Sequence, residues 1–362
     1  MVDNWECGLS LATGRFVISL TDRSVLKRHA LERVRRAIRE HGADVYVWTF
    51  DWLIQWRDGD DVIPYNGPRD DQVLPSRSLI DLFLRNPYDT YEHRLPRSLN
   101  SCCSSELLRE IRASTGGRVC LPVSPDFTMA FLTLVHRAVV VAINEPLFVW
   151  GSGALSNGGG VYTGTDTFRR FLRDLNKTEA DLYNKVPVKT VGIHNSLCND
   201  LMHLKALVPE RFAEINLDLP AYFTVCHDEI LEWLAPNDPL YRVKMDAWEQ
   251  ALAMQPQSVQ QEVTRATERP RSTGDRVPKG VWVQALQGGY PPGFVRQPWL
   301  SWRGVWARLR RQLGGIRRRL YRACFPMRKP MQERKFRTPI EAVRWFEACE
   351  EWERRHGRSS IS

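Results

Sequence analysis

The sequence predicts an α/β fold followed by a helical region, and three observations support this prediction. Over the first 150 residues, apolar runs of strand length alternate with apolar residues at helical spacing. From about residue 165 to residue 265 the pattern is helical throughout. Hydrophobic residues make up 43% of the 362 residues and charged residues 26%, so the chain has enough apolar material for a core.

The first elements are predicted to be a helix, a strand, a second helix and a second strand. Residues 4–12 suit a short helix that ends at Gly14, and residues 16–20 form an apolar run of strand length. Residues 44–50, rich in Val, Tyr and Trp, indicate the next strand. Between these strands, apolar residues recur at helical spacing up to a stop at Gly42: Leu26, Ala30, Leu31, Val34 and Ile38.

Turn and cap residues predict the elements that follow. Residues 57–77 are polar and rich in Pro and Asp, which indicates a surface loop. Ser104 suits the N-cap of a helix near residues 104–114, because its hydroxyl can accept a hydrogen bond from the first turn. Residues 138–150 are predicted to hold two strands that Asn144-Glu145-Pro146 separates.

The positive charge of the chain is concentrated at its C-terminal end. Residues 291–362 carry 18 Lys and Arg against 6 Asp and Glu, a net +12, so the preceding residues sum to −3 of the total +9. Within residues 299–325, Trp and Leu recur every three or four positions and Arg fills most of the others. This pattern favours a helix on an anionic membrane surface; a helix packed on the domain is the alternative, and nucleic acid is the least favoured partner.

The chain is predicted to be cytosolic, with peripheral attachment to the cytoplasmic membrane face through the basic segment. No apolar run is long enough to span a bilayer, and the N-terminus lacks the layout of a secretory signal. The eight cysteines show no C-x-x-C spacing, which indicates reduced and mostly buried thiols.

Three stretches carry short motifs in a fixed order. Residues 3–26 read DNWECGLSLATGRFVISLTDRSVL: an Asn-containing helix, an A-x-G turn, and a strand that ends in an acidic motif of the D-x-D type. Residues 99–134 read LNSCCSSELLREIRASTGGRVCLPVSPDFTMAFLTL, in which a helix and a G-G-R strand precede a P-D pair. Residues 138–159 read AVVVAINEPLFVWGSGALSNGG, which looks like closing strands and a glycine-rich loop. This succession resembles the family 2 glycosyltransferases of the GT-A fold.

The resemblance implies a GT-A domain in residues 1–160 that lacks the first strands of the fold. A helical region at 161–266, a linker at 267–290 and the basic tail at 291–362 would follow. The implied activity is inverting transfer of a sugar from a nucleotide-sugar to a glycan or a lipid-linked acceptor. A non-catalytic remnant of the fold that binds glycans or a membrane surface is the alternative function.

The resemblance also assigns roles to single residues. Asp22 is the ligand of a divalent cation, Mg²⁺ or Mn²⁺, with Ser24 where a second carboxylate is expected. Asp126 is the general base, and it stands just before an apolar helix. Each acid has an alternative role as the N-cap of the helix that follows it. Five residues are expected to contact the donor, although a structural role is the alternative for several of them: Asn4, Arg23, Ser24, Ser156 and Asn157.

Overall fold

The computed structural model shows a mixed α/β domain followed by a helical region, which confirms the predicted fold class. It describes residues 2–21, 24–56, 59–63, 70–85, 94–121, 124–153, 166–234, 236–268, 340, 343–348 and 351. The linker prediction, apart from its first two residues, and the basic segment 299–325 lie outside the described residues. The domain boundaries therefore stay predictions.

A seven-stranded sheet is organised around two long parallel strands, β3 and β7. The strands are β1 (Phe16–Ile18), β2 (Ser24–Leu26), β3 (Val45–Trp56), β4 (Gly59–Ile63), β5 (Gln72–Pro75), β6 (Ser101–Ser104) and β7 (Val139–Gly153). β6 and β4 pair with the first and second halves of β3, and β5 and β2 pair with the corresponding halves of β7. β1 pairs with β6. The two halves of each central strand therefore have different neighbours.

Helices cover both faces of the sheet. They are α1 (Val2–Leu11), α2 (Ala30–His41), α3 (Ser76–Arg85), α4 (Ser105–Ser114) and α5 (Pro125–His136). Apolar side chains of α2 pack on one face with Tyr46 and Trp48, whereas α1, α3, α4 and α5 pack on the other face with Val45 and Val47. The alternation of side chains along β3 produces these two separate cores.

The helical region extends the second of these cores. It contains α6 (Asp166–Asp174), a 3₁₀ turn (Glu179–Leu182), α7 (Ile193–Leu207), α8 (Pro209–Phe212), α9 (Leu219–Trp233), α10 (Pro239–Ala253) and α11 (Gln257–Thr267). α7 contacts α5, and α9 contacts α3. Buried residues of α7 and α9 belong to the same apolar cluster as those of α5. The helical region is thus continuous with the core behind the sheet.

The predicted helix stop and helix cap are confirmed. α2 ends at Gly42, whose φ of 61° is left-handed and favours glycine. The Ser104 hydroxyl accepts a hydrogen bond from the Leu107 N–H at the start of α4. All six described cysteines are free thiols, and only Cys7 is exposed. Among the described residues, no helix has the length and apolar character needed to cross a membrane.

Two predictions that depend on strand pairing are wrong. Residues 57–77 contain β4, β5 and the start of α3. The loop prediction fails because a short strand at the border of a sheet needs only one apolar side, so its sequence resembles that of a polar loop. Asn144-Glu145-Pro146 does not separate two strands; it forms a bulge inside the single strand β7. Between the pairs Trp48–Ile143 and Phe50–Phe148, β3 advances by two residues and β7 by five.

Residues 343–348 are helical and pack against the second half of the sheet. Val343 and Phe346 form a small core with Leu53 of β3 and Val149 of β7. Beneath them, Lys27 Nζ lies 2.8 Å from Asp51 Oδ2 and 5.5 Å from the centre of the Phe346 ring. The C-terminal end of the chain therefore covers a buried ion pair.

Candidate functional site

The candidate site lies beside the second half of β3, in the gap between β6 and β4. Ligands of open α/β sheets usually bind outside the carboxyl ends of the parallel strands. The turn of residues 97–100 fills this gap, because the Trp48 N–H donates to the Asn100 carbonyl oxygen at 2.9 Å. The Asn100 amide Nδ2 in turn donates to the Trp48 carbonyl at 3.2 Å. The Asn100 N–H donates to the Arg97 carbonyl oxygen at 3.1 Å, which ties the backbone of Arg97 to this turn.

Arg97 is buried among aromatic rings. Its guanidinium carbon lies 4.5 Å from the Trp150 ring centre and 5.2 Å from that of Phe127. The Phe50 ring centre is 5.9 Å away. Arg97 Nη1 lies 3.9 Å from Asp126 Oδ2, and the Arg97 side chain is 3% exposed. The predicted base therefore faces a buried cation.

Asp126 lies in the first turn of α5, with Ser124 at the N-cap and Pro125 between them. The alternative role of Asp126 as the N-cap is therefore wrong. The backbone N–H groups of Asp126 and Phe127 favour its charged form. Burial raises the pKa of Asp126, and the Arg97 charge opposes this rise without cancelling it. The side chain remains 17% exposed, so a substrate hydroxyl has access to it.

The segment before α5 is held from two sides. The Ser124 N–H donates to Asp200 Oδ2 of α7 at 3.0 Å. On α1, Glu6 Oε2 accepts from the N–H groups of Val119 and Cys120, each at 2.9 Å. The start of α5 is thus fixed by the helical region and by the N-terminal helix, and this rigidity suits a base that must hold one orientation.

The described end of the acidic motif lies at the start of β2. The Ser24 N–H donates to the Thr21 carbonyl, and the two hydroxyl oxygens are 3.1 Å apart. Ser24 begins β2 and is the register partner of Trp150, whose ring contacts Arg97. The strand register thus places Ser24 beside Trp150, and the Trp150 ring contacts the arginine that faces Asp126.

Several predicted site residues lie outside the described part of the chain: Asp22, Arg23, Ser156 and Asn157. Their roles, including cation binding by Asp22, stay predictions. The alternative role of Asp22 as the cap of the next helix is wrong, because α2 begins at Ala30 with His29 at the N-cap.

Asn4 is exposed on α1, and its predicted contact with the donor stays a prediction. The buried side of α1 carries Val2 and Leu9. A cavity of about 500 Å³ is lined by residues 12–17 and 104–106 together with parts of α1 and α4, and Asp126 is not among its lining residues.

One group of metal-ligand type occurs among the described residues, away from Asp126. Ligand atoms of Glu40, His41 and Asp71 lie within 4.8 Å of one another at the end of α2. Asp71 already forms an ion pair with Arg33, which reduces its capacity to hold a cation. The cation expected near Asp22 therefore finds no support in this group.

Sequence reasoning missed Arg97, Trp150 and the Lys27–Asp51 pair. Arg97 stands in an unremarkable polar stretch, and its surroundings come from three other elements. Asp51 did leave a signal, since it interrupts the apolar run of β3. A carboxylate in a strand covered on both faces must be paired or functional.

Comparison with known proteins yields distant structural matches. No protein-family profile and no curated protein matches the chain. The structure of S. aureus TarS is similar at 12% identity and a TM-score of 0.32, over 76% of this chain and 44% of that one. TarS 1–349 in complex with UDP-GlcNAc is similar at 13% identity and a TM-score of 0.30, over 76% and 74%. This chain spans less than half of the first match, and similarity at this level transfers neither activity nor ligand.

Proposed function

We propose that the protein is a glycosyltransferase that inverts the configuration of a sugar taken from a nucleotide-sugar. The main support is Asp126, a partly exposed carboxylate at a helix start, with a raised pKa and a buried arginine beside it. A base whose pKa is raised toward the working pH transfers protons efficiently. The order of the sequence motifs gives independent support.

In the proposed reaction, Asp126 takes the proton of an acceptor hydroxyl as that oxygen attacks the anomeric carbon. The new carbon–oxygen bond forms while the bond from this carbon to the diphosphate oxygen breaks. The electron pair of the broken bond leaves with the nucleoside diphosphate, and the proton stays on Asp126 until solvent removes it. Attack from the face opposite the leaving group inverts the anomeric carbon.

The leaving diphosphate gains negative charge, which must be neutralised. A divalent cation would supply the compensating positive charge. Asp22 would hold this cation, since carboxylate oxygens are common ligands of Mg²⁺. Arg23 and the hydroxyl of Ser24 would contact the phosphates, and Asn4, Ser156 and Asn157 would complete the donor site. A glycan or a lipid-linked sugar would be the acceptor.

Donor binding is the first test. A ligand that binds only the native state raises its stability, by about 2.7 kcal/mol at a hundredfold excess over Kd. We expect one member of a panel of nucleotide-sugars, with UDP-GlcNAc included, to raise the melting temperature when Mg²⁺ or Mn²⁺ is present. EDTA should abolish the effect. If no nucleotide-sugar and no free nucleotide stabilises the protein, the proposal fails.

The second test separates the enzyme from a non-catalytic remnant. With the donor identified, Asp126→Asn should lower transfer by about 10²–10⁴-fold and leave donor stabilisation unchanged, because it removes the base alone. Asp81→Asn, at an exposed position of α3, is the matched control and should retain full activity. Donor binding without transfer to any acceptor would favour the non-catalytic alternative.

We also propose that residues 299–325 hold the protein on an anionic membrane surface, near lipid-linked acceptors. Truncation is a poor test, since Phe346 packs in a core. Replacing Arg317, Arg318 and Arg319 by glutamine should weaken binding to phosphatidylserine vesicles by about 10²-fold, at about 1 kcal/mol per charge. Wild-type protein that does not sediment with these vesicles, or that binds duplex DNA more tightly, would contradict this proposal.

A further inference from the structure

The arginine beside the proposed base is held in an unusual setting. Arg97 cannot lose its proton, and burying such a charge is costly unless nearby groups compensate it. Three ring faces within 6 Å of the guanidinium contribute compensation through cation–π attraction. These rings come from β3, α5 and β7, so the fold commits three elements to the position of one cation.

The distance between the two charges is informative. A bidentate arginine–carboxylate pair at about 2.8 Å would occupy the lone pairs of the carboxylate. Here the closest approach is 3.9 Å. At this distance the guanidinium still acts on Asp126 through its charge, but both carboxylate oxygens keep capacity to accept the proton of a substrate hydroxyl. The rings explain the offset, because they hold the guanidinium independently of Asp126.

We propose that Arg97 is a positioning residue that keeps Asp126 ionised and correctly oriented without blocking it. This inference rests on the proposed role of Asp126 as the base. Burial alone would leave a neutral carboxyl that cannot take a proton, whereas a directly bonded arginine would make a weak base. The ring-held guanidinium gives Asp126 a basicity between these two extremes.

Other charged or titratable groups near Asp126 come from separate elements. Among the described residues, Cys120 interacts with the Asp126 charge, while Glu6 on α1 and Asp200 on α7 bond to the backbone of the segment that precedes it. Glu6 is paired with Arg112 at 3.0 Å, and Asp200 accepts the hydrogen bond of the Ser124 N–H. Of the charged side chains in the described part of the chain, Arg97 is the one that shifts the pKa of Asp126.

The test follows the titration of Asp126 without substrate. The unfolding free energy is measured against pH for the wild type and for Asp126→Asn, and the difference between the two curves reports the pKa of Asp126. The pair is then repeated with Arg97→Gln and with Arg97→Lys, which keeps the charge and better preserves folding. We expect Arg97→Gln to move the Asp126 titration upward by about one pH unit or more, and Arg97→Lys to move it less.

Arg112→Gln is the matched control. It removes an arginine that pairs with Glu6, and it should leave the Asp126 titration in place. An Asp126 titration that is unchanged in both Arg97 variants, or that moves equally in Arg112→Gln, would overturn the inference.

The same variants separate this inference from the proposed function. If transfer is detected, the acidic limb of the kcat/KM profile should move upward in Arg97→Lys while the donor affinity stays unchanged. If no donor supports transfer but the titration still moves, the coupling between Arg97 and Asp126 stands and the enzymatic proposal fails.

Discussion

The buried ion pair beneath residues 343–348 offers a quantitative test of the structure. Lys27 Nζ and Asp51 Oδ2 lie 2.8 Å apart, and their side chains are 0% and 2% exposed. Removing one partner of such a pair leaves an uncompensated buried charge and costs about 3–5 kcal/mol. This loss is a large part of the free energy that typically stabilises a domain, about 5–15 kcal/mol.

We therefore expect Asp51→Asn and Lys27→Met each to lower the unfolding free energy by about 3–5 kcal/mol. The double variant Lys27→Met with Asp51→Leu removes both charges, fills the space with apolar groups and should recover most of the loss. Urea unfolding followed by tryptophan fluorescence measures all three free energies.

An exposed ion pair provides the control. Arg242 and Asp246 lie one turn apart on α10, with side chains 71% and 42% exposed. Because solvent screens such a pair, Asp246→Asn should cost less than about 1 kcal/mol. If Asp51→Asn costs no more than this control, or if the double variant is less stable than both single variants, the argument for a buried, mutually dependent pair is refuted.

Two further predictions concern a helix cap and a buried histidine. Ser104→Ala should lower the unfolding free energy by about 1 kcal/mol, because it removes the cap of α4, whereas Ser124→Ala should change it little, since that hydroxyl makes no cap bond. Burial lowers the pKa of His194 to about 3 from 6.5, so the unfolded chain takes up a proton that the folded chain refuses as the pH falls between these values. The unfolding free energy therefore falls on acidification below about pH 6.5, by about 1.4 kcal/mol per pH unit. The His194→Phe variant should lose this part of the dependence of the unfolding free energy on pH. An unchanged pH dependence, measured by urea unfolding between pH 7 and about pH 4.5, would contradict the assignment.

Features fixed by short-range chemistry could be predicted from the sequence. The end of α2 at Gly42 and the cap at Ser104 depend on residues within one turn, so their signals are local. The start of α5 was predicted to within two residues from its apolar run. The position of Asp126 came from the order of motifs, and the structure adds its burial and its neighbour Arg97.

Features that depend on pairing between distant residues could not be predicted. β4 and β5 carry polar residues because each borders a long buried strand, and the sequence does not reveal the partner. Arg97 becomes distinctive only when rings from three elements surround it. The structure thus adds the residues that modulate a base, whereas the sequence indicated the base alone.

The bulge in β7 determines which side chains reach the site, through simple parity. Because β7 advances three residues more than β3 between the flanking pairs, an odd number, Phe148 and Trp150 point to the same side of the sheet as Ile143. Without the bulge, strict alternation over the five positions from Ile143 to Phe148 would turn Phe148 and Trp150 to the opposite side of the sheet. Val149 would then take the place of Trp150 on the side toward Arg97, so the irregular backbone at Asn144-Glu145-Pro146 is what brings the tryptophan ring to the arginine.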